Sequence, residues 1–275
     1  MDADPMSAPR PRLGVVKMAS CDGCQLTLLD LDDELLALAE QVDIVEFSEA
    51  SSRRSEGPYD ILLVEGSVST PEQAAEIRRL RRESRTLVTI GACAQAGGVQ
   101  ALRNWMELDE VAASVYANPD LIESLEHSSP VSRVVNVDAE IPGCPVSRSQ
   151  IRELLAATLV GRRPQLPDEA VCLECKRRGI PCLLVTGTAP CLGPITRTGC
   201  GALCPSVGRG CFGCFGPREN VNVTSLATGG HPNADDAATR PLRPVPLFTS
   251  WARQWRDAHD ATPAPSPSEA ADARR

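Results

Sequence analysis

The distribution of cysteine constrains this chain more than any other feature. Its twelve cysteines divide into four that stand apart in the first half, Cys21, Cys24, Cys93 and Cys144, and eight crowded between Cys172 and Cys214. The polar, proline-containing segment 1–12 lacks the apolar centre of a signal peptide, and no apolar run is long enough to span a bilayer. The expectation is a cytoplasmic address and no contact with a membrane. Thiols stay reduced in that compartment, so metal binding, rather than a disulfide framework, is the default reading of so many cysteines.

At 275 residues the chain is long enough for one medium domain and a smaller one. Phe, Trp and Tyr make up only 3% of it, so the core must be aliphatic, as in parallel α/β sheets. A net charge of -8 argues against nucleic acid or an anionic membrane as the partner.

Hydrophobic patterning supports this class. Strands are expected at 13–19, 42–47, 60–66, 86–91 and 133–138, and helices at 25–41, from Pro71 to about Arg82, over a stretch including 102–115, from about Leu121, and at 148–160. Thr70 and Ser147 have the side chains of helix N-caps, and Gly161 ends the last helix. Residues 92–98 read as a small-residue loop. If the strands are parallel with right-handed crossovers, their carboxyl ends share one edge of the sheet. Cys21 and Cys24, then Cys93, then Cys144 each follow such an end, so the four thiols converge. The segment after Pro167 is broken by Gly and Pro and must be organised by something other than a large apolar core.

Four thiolates suit a tetrahedral zinc or an iron-sulfur cluster. Small neighbours (Gly23, Gly91, Ala92, Ala94, Gly143) favour the larger body, and Cys144-Pro145 matches the Cys-Pro that closes ferredoxin-type motifs. The eight later thiols divide into Cys172, Cys175, Cys182 and Cys191, and Cys200, Cys204, Cys211 and Cys214; an interleaved division satisfies the same spacings. A zinc ribbon on the two terminal pairs is the competing reading, and it leaves four thiols exposed to oxidation.

Ser20-Cys-Asp-Gly-Cys-Gln-Leu26, Gly91-Ala-Cys-Ala94, Pro142-Gly-Cys-Pro145, and Pro190-Cys-Leu-Gly-Pro-Ile-Thr196 through Gly210-Cys-Phe-Gly-Cys-Phe-Gly-Pro217 together resemble the small, electron-transferring subunit of cytoplasmic nickel-iron hydrogenases, also called sulfhydrogenases. The likeness spans 13–217, and its first half is shared with the cluster-carrying subunit of respiratory complex I. The resemblance implies a flavodoxin-like domain (13–163) whose Cys21, Cys24, Cys93 and Cys144 hold a proximal 4Fe-4S cluster. A small, mostly irregular iron-sulfur domain (168–217) would follow, with Cys172 to Cys191 as the distal set and Cys200 to Cys214 as the medial set. Many respiratory members replace one distal cysteine by histidine and lack one medial cysteine. Here Cys172 and Cys204 supply those thiols, which makes three 4Fe-4S clusters the expectation. Many also have Ser-Glu after the first pair, where this chain has Gln25-Leu26, so no acid role is carried over there. The implied partners are a nickel-iron large subunit, flavin/NAD(P)-binding subunits and ferredoxin-like electron-transfer subunits.

Nothing in the chain reads as hydrogen-activating. Glu49 and Glu65 lie near strand ends without a nucleophile, base or metal partner, and no phosphate-binding glycine loop is present. His127, His231 and His259 read as solvated, as do Arg78, Arg79, Arg81 and Arg82, unless those arginines meet an acidic partner. Phe212, Phe215, Phe248, Trp251 and Trp255 read as core or as an interface in a C-terminal extension (218–259), ahead of a disordered tail (260–275); segment 1–12 is likewise expected to be disordered. Two other functions fit parts of the pattern: a subunit of another respiratory or formate-linked assembly, and a zinc-stabilised interaction module.

Overall fold

The computed structural model describes residues 9–221 and Trp251, and these fall into two compact units divided between Pro167 and Asp168. In the first unit, β1 (Arg12–Lys17), β2 (Asp43–Phe47), β3 (Tyr59–Glu65), β4 (Ser84–Ile90) and β5 (Ala139–Ile141) form one parallel sheet in the order β2-β1-β3-β4-β5. This is the flavodoxin-like order, with its switch point between β1 and β3.

Side-chain alternation accounts for the layers. Ile61 and Leu63 of β3 join Leu13, Val15, Val88 and Ile90 on one face, while Leu62 and Val64 join Val16 and Leu87 on the other. Both faces are covered, which is why Ile61-Leu-Leu-Val64 is apolar without interruption. The first face packs against Leu28 of α1 (Gly23–Leu29), Leu38 of α2 (Asp33–Gln41) and Ile151 and Leu154 of α6 (Arg148–Leu159). The second packs against Ala74, Ile77 and Leu80 of α3 (Pro71–Glu83). Tyr59 lies across Gly14, where any side chain would strike its ring. The caps are formed: Thr70 with Gln73, and Ser147 with Gln150, each make a reciprocal capping box.

Several expectations are corrected. The helix expected at 25–41 is two helices, because Asp32 takes φ 51° and ψ -119°, outside the helical region, and Leu31 turns into the core. Residues 92–98 are not all loop: α4 (Gly91–Ala96) begins directly on β4. The stretch 102–115 divides into a 3-10 segment, Val99–Trp105, and α5 (Leu108–Val115), and near Leu121 there is only the single 3-10 turn Pro119–Leu121. The fifth strand is not 133–138 but Ala139–Ile141; Val134, Val135 and Val137 pack from irregular chain onto the second face instead. Arg12 already lies in β1, and the Arg10 side chain donates to Ala39 O at 3.1 Å.

The second unit carries little regular structure among its described residues: α7 (Val171–Arg177) and α8 (Leu203–Ser206), with isolated bridges Ala170 to Arg197 and Thr196 to Pro217. Val171, Leu192, Ile195, Phe215 and Trp251 are buried within it. Phe215 and Trp251 are therefore core, while Phe248, Trp255 and the expected tail lie outside the described residues.

Candidate metal centres

Sheet register places the first site. Lys17, Glu65, Ile90 and Ile141 form one row across β1, β3, β4 and β5, and the chain leaves the sheet along that row. Cys21 and Cys24 follow β1, Cys93 lies in α4 after β4, and Cys144 follows β5. The Ala92 amide donates to Gly143 O at 2.7 Å, tying the Cys93 segment to the Cys144 loop.

The turn bearing the first pair is pinned from both sides. Asp22 sits between the two thiols at φ 65°, and its carboxylate takes a hydrogen bond from Ser20 Oγ (2.9 Å) and an ion pair from Lys17 Nζ (3.0 Å). Lys17 also meets Glu49 at 2.5 Å. Beneath the turn, the buried Glu65 carboxylate accepts from the Cys24 amide at 3.0 Å and the Gln25 amide at 3.3 Å. Burial raises the Glu65 pKa, and those two amides oppose the rise. The Cys93 thiol donates to Gln100 Oε1 at 3.5 Å, and Gln100 Nε2 donates in turn to Ala19 O at 2.8 Å, joining the Cys93 segment to the strand exit before Cys21. Close approach requires glycine twice: a Cβ on Gly91 (φ 86°) would fall on Cys24 Sγ, and one on Gly98 (φ 63°) would fall on Cys93 Sγ.

These thiols sense one another. Burial pushes Cys93 up to about 11, helped by Cys144 and Cys21; Cys144 is raised by burial, then by Cys21 and Glu65; Cys24 is raised by burial, then by Glu65. A site that makes thiolates this costly favours an occupant that brings positive charge and displaces the protons.

In the second unit Cys172 and Cys175 lie on α7, and Cys172 is pushed up to about 11 by burial and then by Cys191, Cys175 and Cys182. Cys200 is raised by burial and also senses Cys204. Cys211 is pushed up to about 12 by burial, against the pull of the Gly213 amide and the Thr196 hydroxyl. Backbone amides point at the sulfurs: Gly193 N (3.4 Å) and Cys211 N (3.2 Å) donate to Cys191 Sγ, and Gly213 N donates to Cys211 Sγ at 3.5 Å. A Cβ on Gly193 would lie 3.3 Å from Cys191 Sγ and 3.6 Å from Cys172 Sγ, so the backbone runs close past both. Cys182 is exposed.

Among the described residues, no three His, Cys, Asp or Glu side chains gather as closely as one metal ion requires. Thiolates on a single zinc would stand about 3.8 Å apart, from a zinc-sulfur distance of about 2.3 Å in a tetrahedron. His127 is exposed, its Nδ1 3.9 Å from a Glu126 carboxylate oxygen, while His231 and His259 lie outside the described residues. Three of the arginines are engaged rather than simply solvated: Arg78 with Ala74 O, Arg79 with Glu76 and Glu83, and Arg81 with Asp138. Sequence reasoning missed Gln100 and gave Glu65 no partner. A buried acid closing an apolar strand was the available signal for Glu65, and nothing local marks Gln100.

The described residues contain no helix long and apolar enough to cross a membrane. Residues 21–158 match the family described as NADH ubiquinone oxidoreductase, 20 Kd subunit. The chain is 40% identical to the sulfhydrogenase 2 subunit delta of Pyrococcus furiosus, over 78% of this chain and 90% of that protein. It is 32% identical to the NAD-reducing hydrogenase HoxS subunit delta of Cupriavidus necator, over 57% of this chain and 82% of that protein. A chain of an NAD+-reducing nickel-iron hydrogenase, solved in its H2-reduced state, superposes with a TM-score of 0.54 at 35% identity, covering 57% of this chain and 96% of that one. The chain thus belongs to the NADH ubiquinone oxidoreductase 20 Kd subunit family, on its nickel-iron hydrogenase small-subunit branch, and works as a subunit of an oxidoreductase complex.

Proposed function

We propose that this chain is the electron relay of a nickel-iron hydrogenase complex, carrying electrons between the large subunit and a flavin/NAD(P)-linked subunit. The observation that carries the reading is the convergence of Cys21, Cys24, Cys93 and Cys144 on one sheet edge, in a chain with eight further cysteines in a second unit. Twelve cysteines at four per cluster make three 4Fe-4S clusters. The proximal cluster falls to Cys21, Cys24, Cys93 and Cys144; the distal one to Cys172, Cys175, Cys182 and Cys191; the medial one to Cys200, Cys204, Cys211 and Cys214.

The donor sets fit such groups. All are thiols, glycine backbone passes close to Cys24, Cys93 and Cys172, and amides already point at Cys191 and Cys211. When bound, each cluster supplies one-electron redox chemistry. The protein's part is to hold the thiolates, exclude water, and set each potential through hydrogen bonds, burial and local charge. Glu65 contributes by holding the Cys24 amide, and Gln100 by holding the Cys93 segment beside Ala19.

Anaerobic purification of the complex, followed by iron, sulfide and zinc analysis, tests the reading. About four irons per four thiols, with matching sulfide, supports it. Stoichiometric zinc without sulfide leaves the zinc-stabilised module instead. Cys93→Ala is expected to remove the proximal cluster and abolish hydrogen-dependent nicotinamide reduction; full activity in an intact complex removes Cys93 from the site.

A further inference from the structure

Inside the Cys172-x-x-Cys175 pair stands an acidic residue, Glu174. Glu174 is half-buried on α7, and its carboxylate spans two amides of another segment: Oε1 accepts from Gly199 N at 3.2 Å and Oε2 from Ala202 N at 2.9 Å. Oε2 also lies 3.9 Å from Cys200 Sγ. One helical turn later, Arg178 Nη1 donates to Gly201 O. Acceptor and donor thus grip the same short loop at three backbone points around Cys200.

That loop needs holding. Gly199, Gly201 and Ala202 have φ of 136°, 66° and 53°, and Ala202, fully buried, takes a left-handed conformation that an alanine adopts only at a cost. The grip joins the helix carrying Cys172 and Cys175 to the loop carrying Cys200, and Cys175 already senses the charge of Cys200. A residue so placed fixes the separation of the two thiol sets; its carboxylate makes its direct contacts on the Cys200 loop, and Cys175 senses its charge as well.

We infer that Glu174 is a positioning residue that locks the Cys200 loop to α7 and holds the potential of the Cys200-side cluster below that of a neutral variant. The inference rests on the electron-relay reading. A fixed carboxylate disfavours adding an electron nearby, and its hydrogen bonds maintain the loop geometry on which cluster retention depends.

The test is an EPR-monitored redox titration, with iron analysis, of the intact complex bearing wild-type chain, Glu174→Gln or Glu174→Ala. The glutamine variant keeps one acceptor oxygen and nearly the same shape. It should retain its iron while the midpoint of the Cys200-side cluster rises, by about tenfold in the reduced-to-oxidised ratio at fixed potential, or about 59 mV for one electron, and by more than that of the Cys175-side cluster, whose thiol also senses Glu174. The alanine variant should lose or convert the Cys200-side cluster, and glutamine should restore it. Wild-type potentials and iron content in both variants overturn the inference while leaving the relay reading intact. A wild-type complex without reducible clusters overturns both.

Discussion

At the scale of single residues, the thiols were legible because their chemistry is carried by residue type and spacing. The groups that position them were not, because each acts across the fold. Glu65 meets the Cys24 and Gln25 amides, and Gln100 meets Ala19 O, only after distant segments pack. Gly91 reads in the sequence as merely small, but its requirement is sharper than size: it combines φ 86° with a Cβ position already occupied by Cys24 Sγ. Gly91→Ala should therefore displace the Cys24 thiol and cost about 1–2 kcal/mol in backbone strain alone. Iron should fall by about four atoms per chain, with the other clusters' EPR signals unchanged. Gly161→Ala is the control, since it has a comparable φ of 67° and nothing within 4 Å of the added carbon. If Gly91→Ala keeps full iron content, the close approach is not a requirement of the site.

Among elements, those with self-contained signals are the legible ones. Thr70 with Gln73, and Ser147 with Gln150, announce their helices locally, and the apolar runs of β1, β3 and β4 bury both faces of one sheet. The fifth strand is misplaced by its sequence because its valines have strand composition but pack as irregular chain. Asp138 marks where pairing begins. Its backbone amide donates to Leu87 O, and its carboxylate accepts from Leu87 N at 2.7 Å and meets Arg81 at 2.5 Å. Burial works to raise its pKa, but the Leu87 amide and Arg81 outweigh it and hold the group below its usual 3.8. Its contribution to stability is thus complete at neutral pH and is lost only as the pH falls below that value through the lowered one. Asp138→Ala should orphan the Leu87 amide and lower unfolding stability at pH 7 by about 1–2 kcal/mol, discounted for a half-exposed carboxylate. Asp138→Asn, which keeps an acceptor, should recover part of the loss. Equal anaerobic melting profiles for all three proteins would show that β5 does not depend on this tie.

For the whole molecule, the contrast between the units decides what each needs in order to fold. The first buries Leu62, Leu63 and Val64 completely within a five-stranded sheet covered on both faces, a core that needs no metal. The second offers Val171, Leu192, Ile195, Phe215 and Trp251 among its described residues, with two short helices and eight cysteines. Buried thiols there would have to supply through iron what the apolar core does not. The composition of 168–217 made this much readable, but the course of its loops was not, because no periodic pattern runs through a segment so broken by Gly and Pro. Anaerobic removal of iron from the intact chain should therefore act unequally. In hydrogen exchange followed by mass spectrometry, peptides within 168–221 should approach full exchange, while peptides covering β3 and β4 keep their protection. Restoring iron and sulfide should return the lost protection. Persistent protection of Leu192 and Ile195 in the stripped protein would mean that the second unit folds on its own core, with its thiols held in place whether or not clusters are bound.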